Sequence, residues 1–240
     1  MFGKKIIFIS AFILLLFSCK KEDVSYDKRA VGVSANDFLS ADNYTTLDIQ
    51  IQYMPGFAPS DSATNALVIF LNTYLNKPDG IKVIKEEIAS SSFNILALSD
   101  VADVESRYRT AFTRRKTISV HILITNGFYN LPETLATSYR NTSFSIFGQA
   151  LHNNSGGPGQ ISRNKLLLTL LEHEFGHLLG LVNQGSPLQV DHHDPNNPSH
   201  CDNDDCLMYY NVETSTNNNL NTVRKLDLNC RFDLKANGAK

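Results

Sequence analysis

His173 and His177 stand four residues apart, with Glu174 directly after the first, in the run His173-Glu174-Phe175-Gly176-His177. On a helix, residues four apart share a face about one turn apart. Both imidazoles then reach one zinc ion, and the intervening carboxylate lies close enough to polarise a water on it. The chemistry expected is zinc-assisted hydrolysis, with a peptide bond as the expected substrate. A surface helix decorated by chance with His and Glu is the plain alternative for such a five-residue match.

The elements around the motif favour the metal. Leu166-Leu167-Leu168-Thr169-Leu170-Leu171 precedes it and reads as the buried part of a helix spanning 162–179, with Ser162 as N-cap. A carboxylate flanked by two imidazoles in so apolar a helix is costly unless paired or near a metal. Gly180, three residues past His177, suits a left-handed turn that ends the helix and sends the chain back towards the site.

Upstream, residues 46–54 alternate, with Leu47, Ile49, Ile51 and Tyr53 on one side of a half-buried strand. A helix is expected over 62–75, with Ala66, Ile69, Phe70 and Tyr74 as its inner face. Strands are expected at 81–88 and 93–98. A helix capped by Ser99 or Asp100 should run to about residue 111. Residues 117–125 form the plainest strand, placing His121 on its polar side, and Asn126-Gly127 breaks it. Residues 134–149 read as a strand or strand pair, 153–159 as a loop beside His152, and 217–229 as a last short helix. Both His121 and His152 are expected to be structural. Strands and helices interleaved in this order predict an α/β (α+β) sandwich, a twisted mixed sheet packed with helices.

At His173, Glu174, His177 and Gly180, with Met208 further on in Leu207-Met208-Tyr209-Tyr210, the chain resembles the metzincin clan of zinc metallopeptidases. The clan pattern is H-E-x-x-H-x-x-G-x-x-H followed by a Met-containing turn. Asn183 stands where the clan has its third His. Eight residues before Met208 is His200, and His200-Cys201-Asp202-Asn203-Asp204-Asp205-Cys206-Leu207-Met208 is similar to the archaemetzincin run H-C-x4-C-x-M. Residues 184–199 are then an insertion, and His200 is the expected third ligand. His192 and His193 within that insertion are its rivals, followed by Asn183, Asp191 and Asp194, or no third protein ligand. The Asp191-to-Pro198 run also offers carboxylate and amide oxygens for a second cation, although such runs are usually turns. The resemblance further implies Zn2+ as cofactor, Glu174 as general base, Met208 as an apolar floor beneath the metal, and Tyr210 as a stabiliser of the oxyanion. It implies a zincin-like fold whose antiparallel edge strand, here drawn from 137–147, binds extended substrate, with 184–240 forming a lower subdomain. In archaemetzincins the two matching cysteines join a C-x-x-C pair around a structural zinc. Cys230 has no such partner, so a four-cysteine site cannot be built, and a disulfide, Cys201–Cys206 or Cys206–Cys230, is expected instead.

Residues 1–18 read as a signal peptide: Lys4-Lys5, then an apolar core from Ile6 to Phe17 too short to span a bilayer comfortably. Leu16-Phe17-Ser18-Cys19 resembles the lipobox of bacterial lipoproteins, which implies lipid on Cys19 and a bacterial outer-membrane location. Lys20-Lys21-Glu22-Asp23 is similar to the surface-export signals of Bacteroidetes lipoproteins. Residues 19–45 are expected to be a tether and 46–240 a single peptidase domain, monomeric. The formal net charge of −2 becomes −4 once Lys4 and Lys5 leave with the signal. With no basic stripe, nucleic acid is disfavoured as a partner.

Three function classes follow. The first is a lipid-anchored zinc endopeptidase acting on peptide or protein. The second is a non-catalytic zincin-like lipoprotein that binds a peptide or protein partner in the cleft, an idea kept open by Asn183. The third is a zinc hydrolase acting on other substrates, such as cell-wall peptides.

Overall fold

The computed structural model describes residues 25–212, 214 and 223–240. The expected signal peptide and Cys19 lie outside the described residues.

The elements in chain order are α1 (Ala35–Leu39), β1 (Thr46–Tyr53), α2 (Asp61–Tyr74), β2 (Ile81–Glu87), β3 (Ile95–Leu96), α3 (Leu98–Tyr108), β4 (Thr117–Thr125), β5 (Phe128–Tyr129), β6 (Ala136–Arg140), β7 (Ser143–Phe147), α4 (Gly148–Asn153), α5 (Arg163–Leu178) and α6 (Leu228–Ala236). Five strands form the main sheet in the order β2-β1-β4-β7-β6, and β3 pairs with β5 in a small second one. The first four are parallel, and β6 runs antiparallel to β7 at the edge. Parallel neighbours need crossovers, which α2, α3 and the long returns supply. The fold is the mixed α/β sandwich that the interleaved pattern predicts.

The sheet's two faces have different chemistry. Leu47, Ile49 and Ile51 of β1, Ile118, Val120, Ile122 and Ile124 of β4, and Phe144 and Ile146 of β7 are fully buried in one core with α2 and α5. The opposite face carries a buried polar network beneath α3. His121 there is fully buried, its Nε2 2.9 Å from Gln52 Oε1. Glu105 accepts from Arg109 at 2.8 Å, Ser143 at 2.6 Å and Tyr139 at 3.1 Å, and pairs with Arg140. The polar side of β4 is therefore not solvated, as alternation alone implies. Burial pushes His121 down to about 4, so it is neutral. Likewise β1 is buried on both faces because it lies between parallel neighbours.

Several boundaries and faces differ from expectation. The inner face of α2 is Ala63, Thr64, Leu67 and Leu71, whereas Ile69 is 71% exposed. Two apolar stripes at helical spacing compete there. The leucine stripe wins, leaving Phe70 and Tyr74 at the margin of the core. The N-cap of α3 is Ala97 rather than Ser99 or Asp100: the helix begins at Leu98, and Asp100, inside its first turn, accepts from the Ala97 N–H at 2.7 Å. Residues 223–227 are not helical, and α6 starts at Leu228, where the Asp227 carboxylate accepts from the Cys230 N–H at 2.9 Å.

Residues 25–45 are part of the domain rather than a tether. Phe38 and Leu39 are fully buried, and Asp27 pairs with Arg109 at 3.3 Å. The Lys77 ammonium sits among the carbonyls of Asp37, Ser40 and Tyr44. A lysine can be buried only when its three donors are met. This one fastens the N-terminal segment to the end of α2.

Candidate active site

Helix α5 carries the first three site residues. Ser162 caps it, accepting from Lys165 N at 3.4 Å. Leu166, Leu170, Leu171, Phe175 and Leu178 bury it, with Phe175 edge-on to Phe144 of β7 at 5.5 Å. It ends in a Schellman turn: Gly180 N donates to His177 O at 3.0 Å and Leu181 N to Gly176 O at 3.1 Å. Gly180 has φ +73°, and a Cβ there would meet Ser186 N at 2.6 Å, so the position requires glycine twice over.

After this turn the chain does not deliver a ligand at once. Asn183 is exposed, with φ +63°, and is not among the residues lining the cleft. The insertion then runs out and folds back. His192 O accepts from Asp202 N at 3.0 Å, Asp194 N donates to His200 O at 2.8 Å, and Cys201 N donates to Met208 O at 2.8 Å. This pairing turns His200 into the cleft. The coordinating atoms of His173, His177 and His200 all lie within 4.8 Å of one another, and the rings are 4.9 to 5.3 Å apart.

The rivals go elsewhere. His193 is at the surface beside Asp191, and His192 is buried away from the cleft. Asp194 accepts from Asn196 N at 2.8 Å and Asn197 Nδ2 at 2.7 Å. Its oxygens thus close a turn, the plain reading of that run. His152 packs its ring, tilted, against Phe57 at 4.5 Å.

The three imidazoles fit a zinc ion. His173 Nδ1 donates to Leu207 O at 2.8 Å, which fixes the tautomer and leaves Nε2 as a lone pair towards the cleft. His200 Nδ1 lies 3.1 Å from Pro198 O and is held in the same way. The Nε2 atoms of His173 and His177 are 3.2 Å apart, close to the edge of about 3.3 Å that two nitrogens at about 2.0 Å from zinc make in a tetrahedron. Burial holds His173 down to about 4 and His177 well below the usual imidazole range. Burial also lowers His200. The set is neutral, as zinc ligation requires.

Glu174 is buried, and Ser138 Oγ of edge strand β6 donates to its Oε2 at 2.7 Å. Burial raises this carboxyl to about 7, against the lowering effect of Ser138. Met208 is fully buried under the helix. A Cβ on Gly176 would fall 2.2 Å from Met208 Sδ, so the motif's second free position must be glycine for the methionine to pack there. Tyr210 is 46% exposed and lines the cleft rim with its ring 4.8 Å from that of Tyr209. The cleft encloses about 700 Å3 between β6 and residues 198–200 and 210–212, with Leu170 and Gln184 also on its walls. The sequence reading missed Ser138 and Gly176. An alternating strand gives no sign that one serine faces a carboxylate on a helix 36 residues on.

The expected disulfide is not formed. Cys201, Cys206 and Cys230 are all free and buried, and Cys206 and Cys230 have their sulfurs 3.7 Å apart, well beyond a bond of about 2.05 Å.

No family model matches the chain, and no curated protein sequence matches it. Among solved structures, the fold is similar to archaemetzincin from Methanopyrus kandleri, with a TM-score of 0.52 over 80% of this chain and 96% of that one, at 14% identity. At that identity the likeness shows the fold alone.

Proposed function

We propose that this chain is a zinc-dependent metallopeptidase. The reading rests on one arrangement: three neutral imidazoles converge on one point of a cleft, with a buried carboxylate between two of them beside an edge strand. His173, His177 and His200 would hold the ion, leaving an exchangeable position. Bound there, zinc supplies Lewis acidity, lowering the pKa of water and polarising a carbonyl.

The chain's own groups divide the remaining work. Ser138 occupies Oε2 of Glu174 and so turns Oε1 to the attacking water. The Glu174 carboxylate takes that water's proton as the oxygen attacks the carbonyl carbon, then gives it to the leaving nitrogen. Its raised pKa suits a group that must both accept and release a proton near neutrality. The Tyr210 hydroxyl, at the rim, donates to the oxygen that gains charge. Strand β6, at the edge of the sheet and with no outer strand partner among the described residues, offers backbone to an extended peptide, which would lie over Thr137 and Ser138. With His200 replacing Asn183 in the cleft, the binding-only alternative loses the observation that favoured it. We further propose that lipid on Cys19 anchors the enzyme to the bacterial outer membrane.

Chelator sensitivity tests the reading. Peptide cleavage should stop on treatment with a zinc chelator and return on adding zinc. Cleavage indifferent to the chelator would refute it.

A further inference from the structure

Strand β6 carries one residue more than its partner. Asn141 and Thr142 join it to β7 in a two-residue turn, with Arg140 opposite Ser143. Further along, Ser138 stands opposite Phe144, Thr137 opposite Ser145 and Ala136 opposite Ile146, so Tyr139 is the extra residue of a β-bulge. Residues opposite one another share a face of the sheet. Phe144 and Ile146 lie in the core shared with α5, so Ser138 faces that helix too. In a regular ladder from the same turn, Tyr139 would oppose Phe144, and Ser138 would oppose Ser145 on the other face. The bulge is what brings Ser138 to Glu174.

A bulge at a sheet edge can serve only to interrupt pairing. Three features tie this one to the site. First, the turn is fixed. Asn141 and Thr142 are fully buried; Asn141 N donates to Arg29 O at 2.8 Å, its Nδ2 to Ser34 Oγ at 3.0 Å, and Thr142 Oγ1 to Asp27 Oδ1 at 3.1 Å. Second, the extra residue is held on the α3 face. Tyr139 packs against the cluster of Val101, Leu123 and Phe147, its hydroxyl donates to Glu105 Oε2 at 3.1 Å, and Arg140 pairs with the same oxygen. Neighbours on a regular strand point to opposite faces, so one carboxylate oxygen takes both only at a bulge. Glu105 is buried, and its Oε1 accepts from Ser143 of β7 at 2.6 Å. It therefore clasps the bulged strand to its partner. Third, the Ser138 hydroxyl has one proton and two acceptors on Glu174, Oε2 at 2.7 Å and the backbone O at 3.2 Å. The placement of β6 decides which of them takes it.

We propose that Glu105, on the sheet face away from the cleft, is a positioning residue of the active site: by holding Tyr139 and Arg140 on one side, it maintains the bulge that aims Ser138 at Oε2 of Glu174. Its effect on rate rests on the peptidase reading; the placement of Ser138 does not. Breaking the clasp lets β6 relax towards the regular register, which turns Ser138 away from the base. Oε1 of Glu174 then loses its orientation towards the attacking water.

Two measurements on the full chain test this. The first is kcat for peptide cleavage at fixed pH in Tyr139→Phe, Ser138→Ala and the double variant. Tyr139→Phe keeps the ring and loses one bond of the clasp, and should lower kcat about 3- to 10-fold. In the Ser138→Ala background the same change should cost less than about twofold, because the group it positions is gone. A tyrosine that only stabilises the domain would cost the same in both. The second is the crystal structure of Glu105→Gln and of Tyr139→Phe. The bond from Ser138 to Glu174 Oε2 should be lost in the first and lengthened in the second. Should Glu105→Gln fail to fold, Tyr139→Phe carries both arms. A zinc-loaded wild-type chain that cuts no peptide would count against the peptidase reading, and the crystals would still decide the clasp. Equal losses of kcat in the two backgrounds, or an unchanged Ser138–Glu174 bond in the clasp variants that fold, would overturn the proposal.

Discussion

Ser138 on the sheet's edge strand donates to Glu174 on the site helix across 2.7 Å. The strand that would hold substrate is thus hydrogen-bonded to the proposed base. That bond favours the ionised carboxylate, and burial opposes it. Removing the donor should raise the carboxyl's pKa, and the base works only when ionised. The acid limb of kcat/KM in Ser138→Ala should therefore move to higher pH, by about one unit if the bond contributes roughly 1.5 kcal/mol. The measurement is the pH profile beside wild type. A limb at lower pH would contradict the assignment of Glu174.

Met208 packs against the bare backbone of Gly176. Gly176→Ala should destabilise the domain by about 1–3 kcal/mol through overpacking, even though alanine favours the helix intrinsically. Combining it with Met208→Ala should recover part of that loss, because the clash goes with the side chain. Denaturation of the two single variants and the double gives the coupling. Strict additivity would show that the contact is not the cause.

His200→Ala should weaken zinc binding in the cleft by more than the 10–100-fold typical of losing an outer-shell partner. Asn183→Ala and His193→Ala should leave it near wild type, since both side chains are exposed outside the ligand group. Competition titration with a chromogenic chelator reads this directly.

Tyr210 lines the cleft with its side chain partly open to solvent. Tyr210→Phe should lower kcat by up to about a hundredfold while KM stays close to wild type, as removal of a donor to developing charge does. An equal rise in KM with kcat unchanged would make it a substrate-binding residue only.

The legible and the illegible parts of this chain divide along physical lines. The His173–His177 pair, the leucine run and Gly180 are local, and helical geometry carries them from sequence to site with little help. The 117–125 strand is legible for the same reason: its alternation spans nine residues. The long-range pieces are less so. His200 was found only by its spacing to Met208, because nothing local says that an insertion will fold back by pairing His192 with Asp202. The expected disulfide is absent, and the sequence does not reveal that a buried histidine shares the cysteines' space. The inner face of α2 was misread where two apolar stripes fit one helical period. The segment 25–45 looked like a tether because its burial depends on partners such as Arg109 and Lys77, far along the chain.

The most direct measurement is cleavage of a diverse peptide library by the full chain, beside Glu174→Gln. Glutamine keeps the shape of the side chain and loses the base. The account predicts cuts with the wild-type protein, and a rate lower by about 10²–10⁴ in the variant with zinc content unchanged. Equal cleavage by both proteins would contradict the assignment of Glu174 as the base. No cleavage by a zinc-loaded wild-type protein would contradict the peptidase itself.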